Sequence, residues 1–306
     1  MLSSLLNFYI LSTLSAKDLG AVSEISAIGY EQKTMLKTAS ASLATFLDLS
    51  NAPIKKATYI SPIINAKSSI SIDMKTGTVL YEKNANTRLS VASITKLMTI
   101  LLILEENKLN DVTKISSNAA STEGSTMFLQ EGEEIAVENL IYGALIHSAN
   151  DAAVALAEYN AGSVMNFVDK MNKKAKELGL TNTHFSNPVG LDDSQNYSSA
   201  SDIAKLAQLV YANDFIKHAA NLREMDVRSI SGDLTHKLET TNDLLDNTYL
   251  KIKGLKTGST DSAGLCLVSV AEDDNDNEIV TVVLNSPARF TETKILTDWT
   301  FRAYNW

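Results

Sequence analysis

The chain has 306 residues, 44% hydrophobic and 21% charged, which suits one large folded domain or two modest ones. A formal net charge of −9 argues against nucleic acid as the main partner. The single cysteine, Cys266, excludes an intrachain disulfide and a cysteine-based metal site, and His147, His184, His218 and His236 show no metal-ligand spacing. No metal and no cofactor is expected.

The first sixteen residues carry Leu2, Leu5, Leu6, Phe8, Tyr9, Ile10, Leu11 and Leu14 and end on the small Ser15 and Ala16. This is the apolar stretch and cleavage region of a secretory signal without its basic n-region, interrupted by Asn7, Ser12 and Thr13. Two readings stand: a signal peptide or membrane anchor, and a plain unstructured start. Residues 17–61 are rich in Ser, Ala, Thr and Lys with no sustained period, and read as a tether that includes a short helix over 34–49 at most. The expected division is therefore 1–61 as signal or anchor plus linker, and 62–306 as the folded catalytic domain.

Ser69-Ile70-Ser71-Ile72-Asp73 alternates as a half-buried strand should. Met74-Lys75-Thr76-Gly77 is a turn, and Thr78-Val79-Leu80-Tyr81 completes a hairpin. From Ile94 to Leu104 the chain is apolar on nearly every face, which marks a helix buried in the middle of a domain. Glu105-Glu106-Asn107-Lys108 closes it too soon for it to cross a bilayer. Ser93 and Lys96 occupy its first turn and, three apart, share a face. The free N–H groups and dipole of a helix start favour a developing alkoxide at Ser93. Desolvation of Lys96 should lower its pKa, so that its neutral amine can act as a base. A lone S-x-x-K is nonetheless common, and more often means an N-cap serine with a snorkelling lysine.

From about Asp111 to Phe215 the signals are helical or loop-like. Glu138 to Tyr159 is apolar around a polar break at Ser148-Ala149-Asn150-Asp151, Phe167 to Leu178 is an amphipathic helix stopped at Gly179, and Ser201 to Tyr211 is another helix. Strands return at Gly264 to Ala271 and Glu278 to Leu284, joined by the solvated acidic turn 272–277. Thr291 to Tyr304 is a final helix with Ile295, Leu296, Trp299 and Phe301 as its apolar face. Cys266 lies among Gly264, Leu265, Leu267 and Val268 as a buried, inert strand thiol. A hairpin near the start and another at the end, with helices between, predict an α+β fold. One antiparallel sheet draws strands from both chain ends and covers the buried helix, and the helical middle forms a second lobe.

Two more motifs bear on Ser93 and Lys96. Ser148 and Asn150, two apart in a helix break, can face one cleft, the serine relaying a proton and the asparagine holding the lysine and a substrate amide; capping explains them equally well. Lys256-Thr257-Gly258-Ser259, just ahead of the Gly264 strand, can bind a carboxylate by charge and hydroxyl, with Gly258 letting a ligand backbone lie close. Lys75-Thr76-Gly77 repeats the tripeptide, but it sits in the first hairpin turn, where Thr-Gly suits a tight connection. The set S-x-x-K, S-D-N, K-T-G marks penicillin-binding proteins and class A β-lactamases, and all three occur here in that order, with Ala149 varying the middle residue of the second.

The flanking residues narrow this. Ala92 to Thr99, Ser148-Ala149-Asn150-Asp151-Ala152-Ala153, Asn187-Pro188-Val189-Gly190-Leu191-Asp192 and Gly254-Leu255-Lys256-Thr257-Gly258 resemble the serine-type D-alanyl-D-alanine carboxypeptidases, the low-molecular-mass penicillin-binding proteins. The likeness runs from about Ile64 to the end. It implies the β-lactamase/transpeptidase-like fold and an extracytoplasmic enzyme that trims the terminal D-Ala of peptidoglycan stem peptides, with β-lactams as covalent inhibitors. By the same resemblance Ser93 is acylated, Lys96 is its base, and Ser148 and Asn150 complete proton transfer and positioning. Lys256, Thr257 and Gly258 hold the substrate, and the N–H groups of Ser93 and Ser259 form the oxyanion hole. Arg289 recognises the terminal carboxylate, unless it is simply a solvent-facing charge at a helix start.

The chain departs from the pattern in three places. Val91 stands where proline is usual, Ser259 replaces a larger residue, and the chain stops at Trp306, where many members continue into a β-rich domain and an amphipathic anchor. Membrane attachment is therefore expected from the N-terminus or not at all. Three other functions are weighed against the carboxypeptidase: an endopeptidase cutting D-alanyl cross-links, a β-lactamase using Glu177 for deacylation, and a silent penicillin- or wall-binding module.

Overall fold

The computed structural model describes residues 52–246 and 249–306, so the signal-like start and the helix considered over 34–49 lie outside the described residues. The strands are β1 (Ile54–Lys55), β2 (Ser68–Asp73), β3 (Val79–Lys83), β4 (Val112–Lys114), β5 (Glu134–Ala136), β6 (Glu224–Arg228), β7 (Thr235–Glu239), β8 (Lys251–Thr260), β9 (Gly264–Glu272), β10 (Glu278–Ser286) and β11 (Tyr304–Asn305). The helices are α1 (Lys96–Glu106), α2 (Ser117–Ala120), α3 (Val137–Ile146), α4 (Asn150–Ala161), α5 (Val164–Glu177), α6 (Ala200–Tyr211), α7 (Asp214–Ala220) and α8 (Arg289–Ala303).

The main sheet is five-stranded and antiparallel in the order β3-β2-β10-β9-β8, so the expected union of strands from both chain ends is present. The sheet separates two cores. Ile70, Ile72, Val268, Val270, Val280 and Val282 belong to the larger core, with α1 and the helical lobe. Ile279, Val283, Leu267, Ala271 and Leu80 belong to the smaller one, with Leu296 and Trp299 of α8. Alternate residues of one strand thus enter different cores, as the period of two requires.

β2 is not half-buried as its alternation predicts; all six of its residues are buried. α8 covers the serine face. Thr300 Oγ1 lies 3.2 Å from Ser71 Oγ, and Thr281 of β10 meets Thr297 of α8 at 3.3 Å, so small hydroxyl residues pair across a buried layer. Polar alternation signals solvent only when nothing polar packs against it. The Met74–Gly77 segment is the turn expected, with Asp73 accepting from the Thr76 backbone N–H at 2.7 Å.

The helical lobe surrounds α1, whose residues Lys96–Ile103 are all buried. Not anticipated from sequence were the ribbon β4–β5, the hairpin β6–β7, the short helices α2 and α7, and the β1–β11 pair, which sets Ile54 against Asn305 and Lys55 against Tyr304. The folded unit therefore reaches back to Ala52, into the stretch read as linker. Among the described residues, no helix is long and apolar enough to cross a membrane.

Candidate active site

The site forms where the start of α1, the break before α4, the edge strand β8 and the loop 186–191 meet. Residues Ala92–Thr95 form a 3-10 turn ahead of α1, with Ala92 at φ +49°. A left-handed alanine is costly unless its surroundings fix it. Two glycines let them do so. A Cβ on Gly258 would come within 3.1 Å of Ser93 N, and one on Gly190 would lie 1.9 Å from Ala92 O. Edge strand and loop therefore press directly on the turn, and Ser93 is left partly exposed.

Lys96 is fully buried. Its Nζ lies 2.9 Å from Ser93 Oγ, 2.7 Å from Asn150 Oδ1 and 2.8 Å from the Val189 carbonyl oxygen. Burial, reinforced by the nearby Lys256 charge, holds its pKa well below the usual lysine range. Asn150 is fixed by its own bonds: its backbone N–H donates to Ser125 O at 2.6 Å and its Nδ2 to Glu123 O at 2.7 Å. Ser148 sits at the helix break with φ +62° and 6% exposure, and among the described residues its hydroxyl has no hydrogen-bond partner.

On β8, Lys256 is 1% exposed and its Nζ donates to Thr257 O at 3.0 Å. Burial and the Arg289 charge lower its pKa to about 7. Thr257 shares a short hydroxyl–hydroxyl bond with Thr241. Arg289 opens α8 and turns back to the strand, its NH1 donating to Gly258 O at 2.9 Å. Its Nε is buried without an acceptor among the described residues, so it is not a solvent-facing charge. Ser259 is exposed at the outer end of the same strand.

The structure thus brings together Ser93, Lys96 and Asn150 by direct bonds, and Lys256, Thr257, Gly258 and Arg289 by a second set. Sequence reasoning did not anticipate the Val189 carbonyl, the Thr99 hydroxyl that donates to Pro188 O at 2.7 Å, or Thr241. Asn187–Asp192 was recognisable as a motif, but a role played by a backbone carbonyl leaves no side-chain signature. Glu177 lies on the exposed face of α5, 4.0 Å from Lys173 and beside Glu105 and Glu106, at the end of α1 opposite Ser93. Cys266 is buried, donates to Ala263 O and has its pKa raised to about 11 by burial, as an inert thiol should.

Residues 55–288 match the D-alanyl-D-alanine carboxypeptidase family. The chain is 42% identical over 246 residues to the D-alanyl-D-alanine carboxypeptidase DacF of Bacillus subtilis, an alignment covering 78% of this chain and 63% of that protein. It is 34% identical over 281 residues to DacC of Escherichia coli, covering 87% and 68%. Among solved structures, a Streptomyces DD-transpeptidase superposes with a TM-score of 0.75 at 31% identity, over 79% of this chain and 99% of that one. Penicillin-binding protein 5 of Haemophilus influenzae gives 0.73 at 33% identity, over 79% and 72%. The fold is therefore the transpeptidase/β-lactamase-like fold that the sequence motifs imply.

Proposed function

Because the chain belongs to the D-alanyl-D-alanine carboxypeptidase family, we propose that it removes the terminal D-Ala of peptidoglycan stem peptides through a Ser93 acyl-enzyme. The surroundings of Lys96 carry this reading. A neutral amine has two hydrogens and one lone pair. Of its three oxygen neighbours, Asn150 Oδ1 and Val189 O can only accept, so they take the two hydrogens. The lone pair is left facing Ser93 Oγ, the one neighbour that can donate. That is the arrangement of a general base on a nucleophile.

In the cycle, Lys96 takes the Ser93 proton as Oγ attacks the carbonyl of the penultimate D-Ala. The tetrahedral oxyanion is met by the N–H groups of Ser93 and Ser259. The proton passes to the departing D-Ala nitrogen, with Ser148 as the relay beside Asn150, and water then releases the acyl group. Lys256, Thr257 and the unpaired Arg289 Nε receive the substrate carboxylate while Gly258 lets the peptide lie along β8. Such a substrate places the enzyme outside the cytoplasm, with the apolar stretch 2–14 as export signal or anchor. β-Lactams should acylate Ser93 by the same route.

The test is an intact-mass time course with benzylpenicillin, with Ser93→Ala beside the wild type. A long-lived adduct absent from the variant, together with D-Ala release from a D-Ala-D-Ala peptide, is the expected result. Rapid return to the free mass with the drug consumed would instead indicate a β-lactamase. No adduct and no consumption would end the catalytic reading.

A pH dependence follows from Lys256. In the free enzyme its charge fades as pH rises through about 7, which weakens capture of a carboxylate. A bound carboxylate favours the charged form, so in the complex the loss moves to higher pH. Hence kcat/KM for a free-acid peptide should fall above neutral pH while kcat persists, and an amidated substrate should lack the alkaline limb. Coincident kcat and kcat/KM profiles would contradict this.

A further inference from the structure

A buried imidazole–carboxylate pair lies outside the chemistry above. His236 of β7 is 6% exposed and Glu133, in the turn before β5, is 7% exposed. His236 Nδ1 lies 2.8 Å from Met127 O, a pure acceptor, so this nitrogen carries a hydrogen. His236 Nε2 lies 2.7 Å from Glu133 Oε1, and the two share a second one. The other Glu133 oxygen accepts from Gln130 N at 3.1 Å. The pair therefore grips segment 127–130 at both ends and ties it to β7.

The other side of the same segment is latched to the start of α4. Met127 N and Leu129 N donate to the two Asp151 oxygens at 3.1 and 3.0 Å. Just upstream, Ser125 O and Glu123 O receive the backbone and side-chain N–H groups of Asn150. Between the two pinned residues, Phe128 is held at φ +63° and 79% exposed, while Met127 and Leu129 are 2% and 4% exposed. A bulky residue stays in that conformation only where its surroundings over-determine it. Without the His236–Glu133 grip, this strained turn would be held by the Asp151 latch alone.

We infer that His236 and Glu133 are positioning residues for the acylation step. They fix loop 123–130 so that its carbonyl groups orient the Asn150 amide, whose Oδ1 then meets Lys96 Nζ at 2.7 Å. The inference rests on the reading of Lys96 as base.

The test uses the full chain with Glu133→Leu/His236→Leu and Glu133→Gln. Replacing both buried polar partners by apolar residues generally leaves a protein folded. It also removes the grip on Met127 O and Gln130 N. The double variant should lose about tenfold to hundredfold in acylation rate and kcat, the cost of a misplaced catalytic group. Its KM for a D-Ala-D-Ala peptide should hold, because Lys256, Thr257 and Arg289 are outside the loop. In Glu133→Gln the amide can donate to a neutral imidazole and still accept from Gln130 N, so this variant should stay within about twofold of wild type. A folded double variant that acylates like wild type overturns the proposal. So does one that fails to fold, since the pair would then be structural, and so does a Glu133→Gln variant as slow as the double one. Absence of an adduct in the wild type would instead sink the Ser93–Lys96 reading.

Discussion

Lys96→Arg is expected to lower benzylpenicillin acylation and D-Ala release by about 10³-fold or more, and Lys96→Ala by about 10⁴-fold or more, in line with removal of one member of a nucleophile–base unit. In the proposed mechanism lysine suits the role because burial holds its pKa well below the usual lysine range, so its amine can give up a proton. Arginine keeps its proton in any protein environment, so it cannot take one from Ser93. Its planar fork also cannot reproduce a compact amine 2.7–2.9 Å from three oxygens that approach from different elements. The alanine variant removes the base but leaves Ser93, Asn150 and the oxyanion donors in place, so a slow residual acylation should survive, rising with pH as solvent hydroxide substitutes for the base. Stopped-flow acylation across pH is the measurement. A Lys96→Arg variant within tenfold of wild type would move the base role elsewhere, with Lys256, lowered to about 7, the next lysine to test.

What the sequence made legible, and what it hid, follows from the range of each signal. α1 was legible because an uninterrupted apolar run closed by Glu105-Glu106 admits few other structures. The break before α4 was visible as Ser148-Ala149-Asn150 between apolar stretches, and the two C-terminal strands as β-branched runs around an acidic turn. The hairpin β6–β7 was not, because only Val227, His236 and Leu238 of its ten residues are buried, Met225 is half-buried, and the other six face solvent. β1 is two residues long, and its strand character comes wholly from pairing with β11 some 250 positions away. At the site, side chains in motifs could be named in advance. The contributions of the Val189, Glu123 and Ser125 carbonyls could not, because any residue supplies a carbonyl. His236 shows the same limit: a lone histidine in a polar strand carries no sign of its buried partner Glu133.

The second large effect is on stability. Gly190→Ala should cost at least about 3 kcal/mol, the range that marks a named steric mechanism rather than an ordinary surface change. Two terms combine. Gly190 has φ +89°, where any side chain is strained by about 1–2 kcal/mol. The added methyl would also stand 1.9 Å from Ala92 O and 2.3 Å from Ala92 C, and these are backbone atoms that cannot rotate away. Either the loop 186–191 or the 3-10 turn must move, and both carry site geometry: Val189 O bonds Lys96, and the turn carries Ser93. The melting temperature should therefore fall by roughly 6–12 °C, taking about 2–4 °C per kcal/mol for a unit of this size. Acylation of the folded fraction should drop by about 10²-fold, as a displacement near 1 Å at a reacting centre does. Gly179→Ala separates the two terms. Gly179 has φ +66°, and a methyl added there would meet nothing within 4 Å, so that variant bears the backbone strain alone. It should melt lower by about 2–8 °C, with acylation unchanged. Equal melting losses in the two variants, or a Gly190→Ala enzyme acylating at the wild-type rate, would mean that the loop does not press on the nucleophile turn.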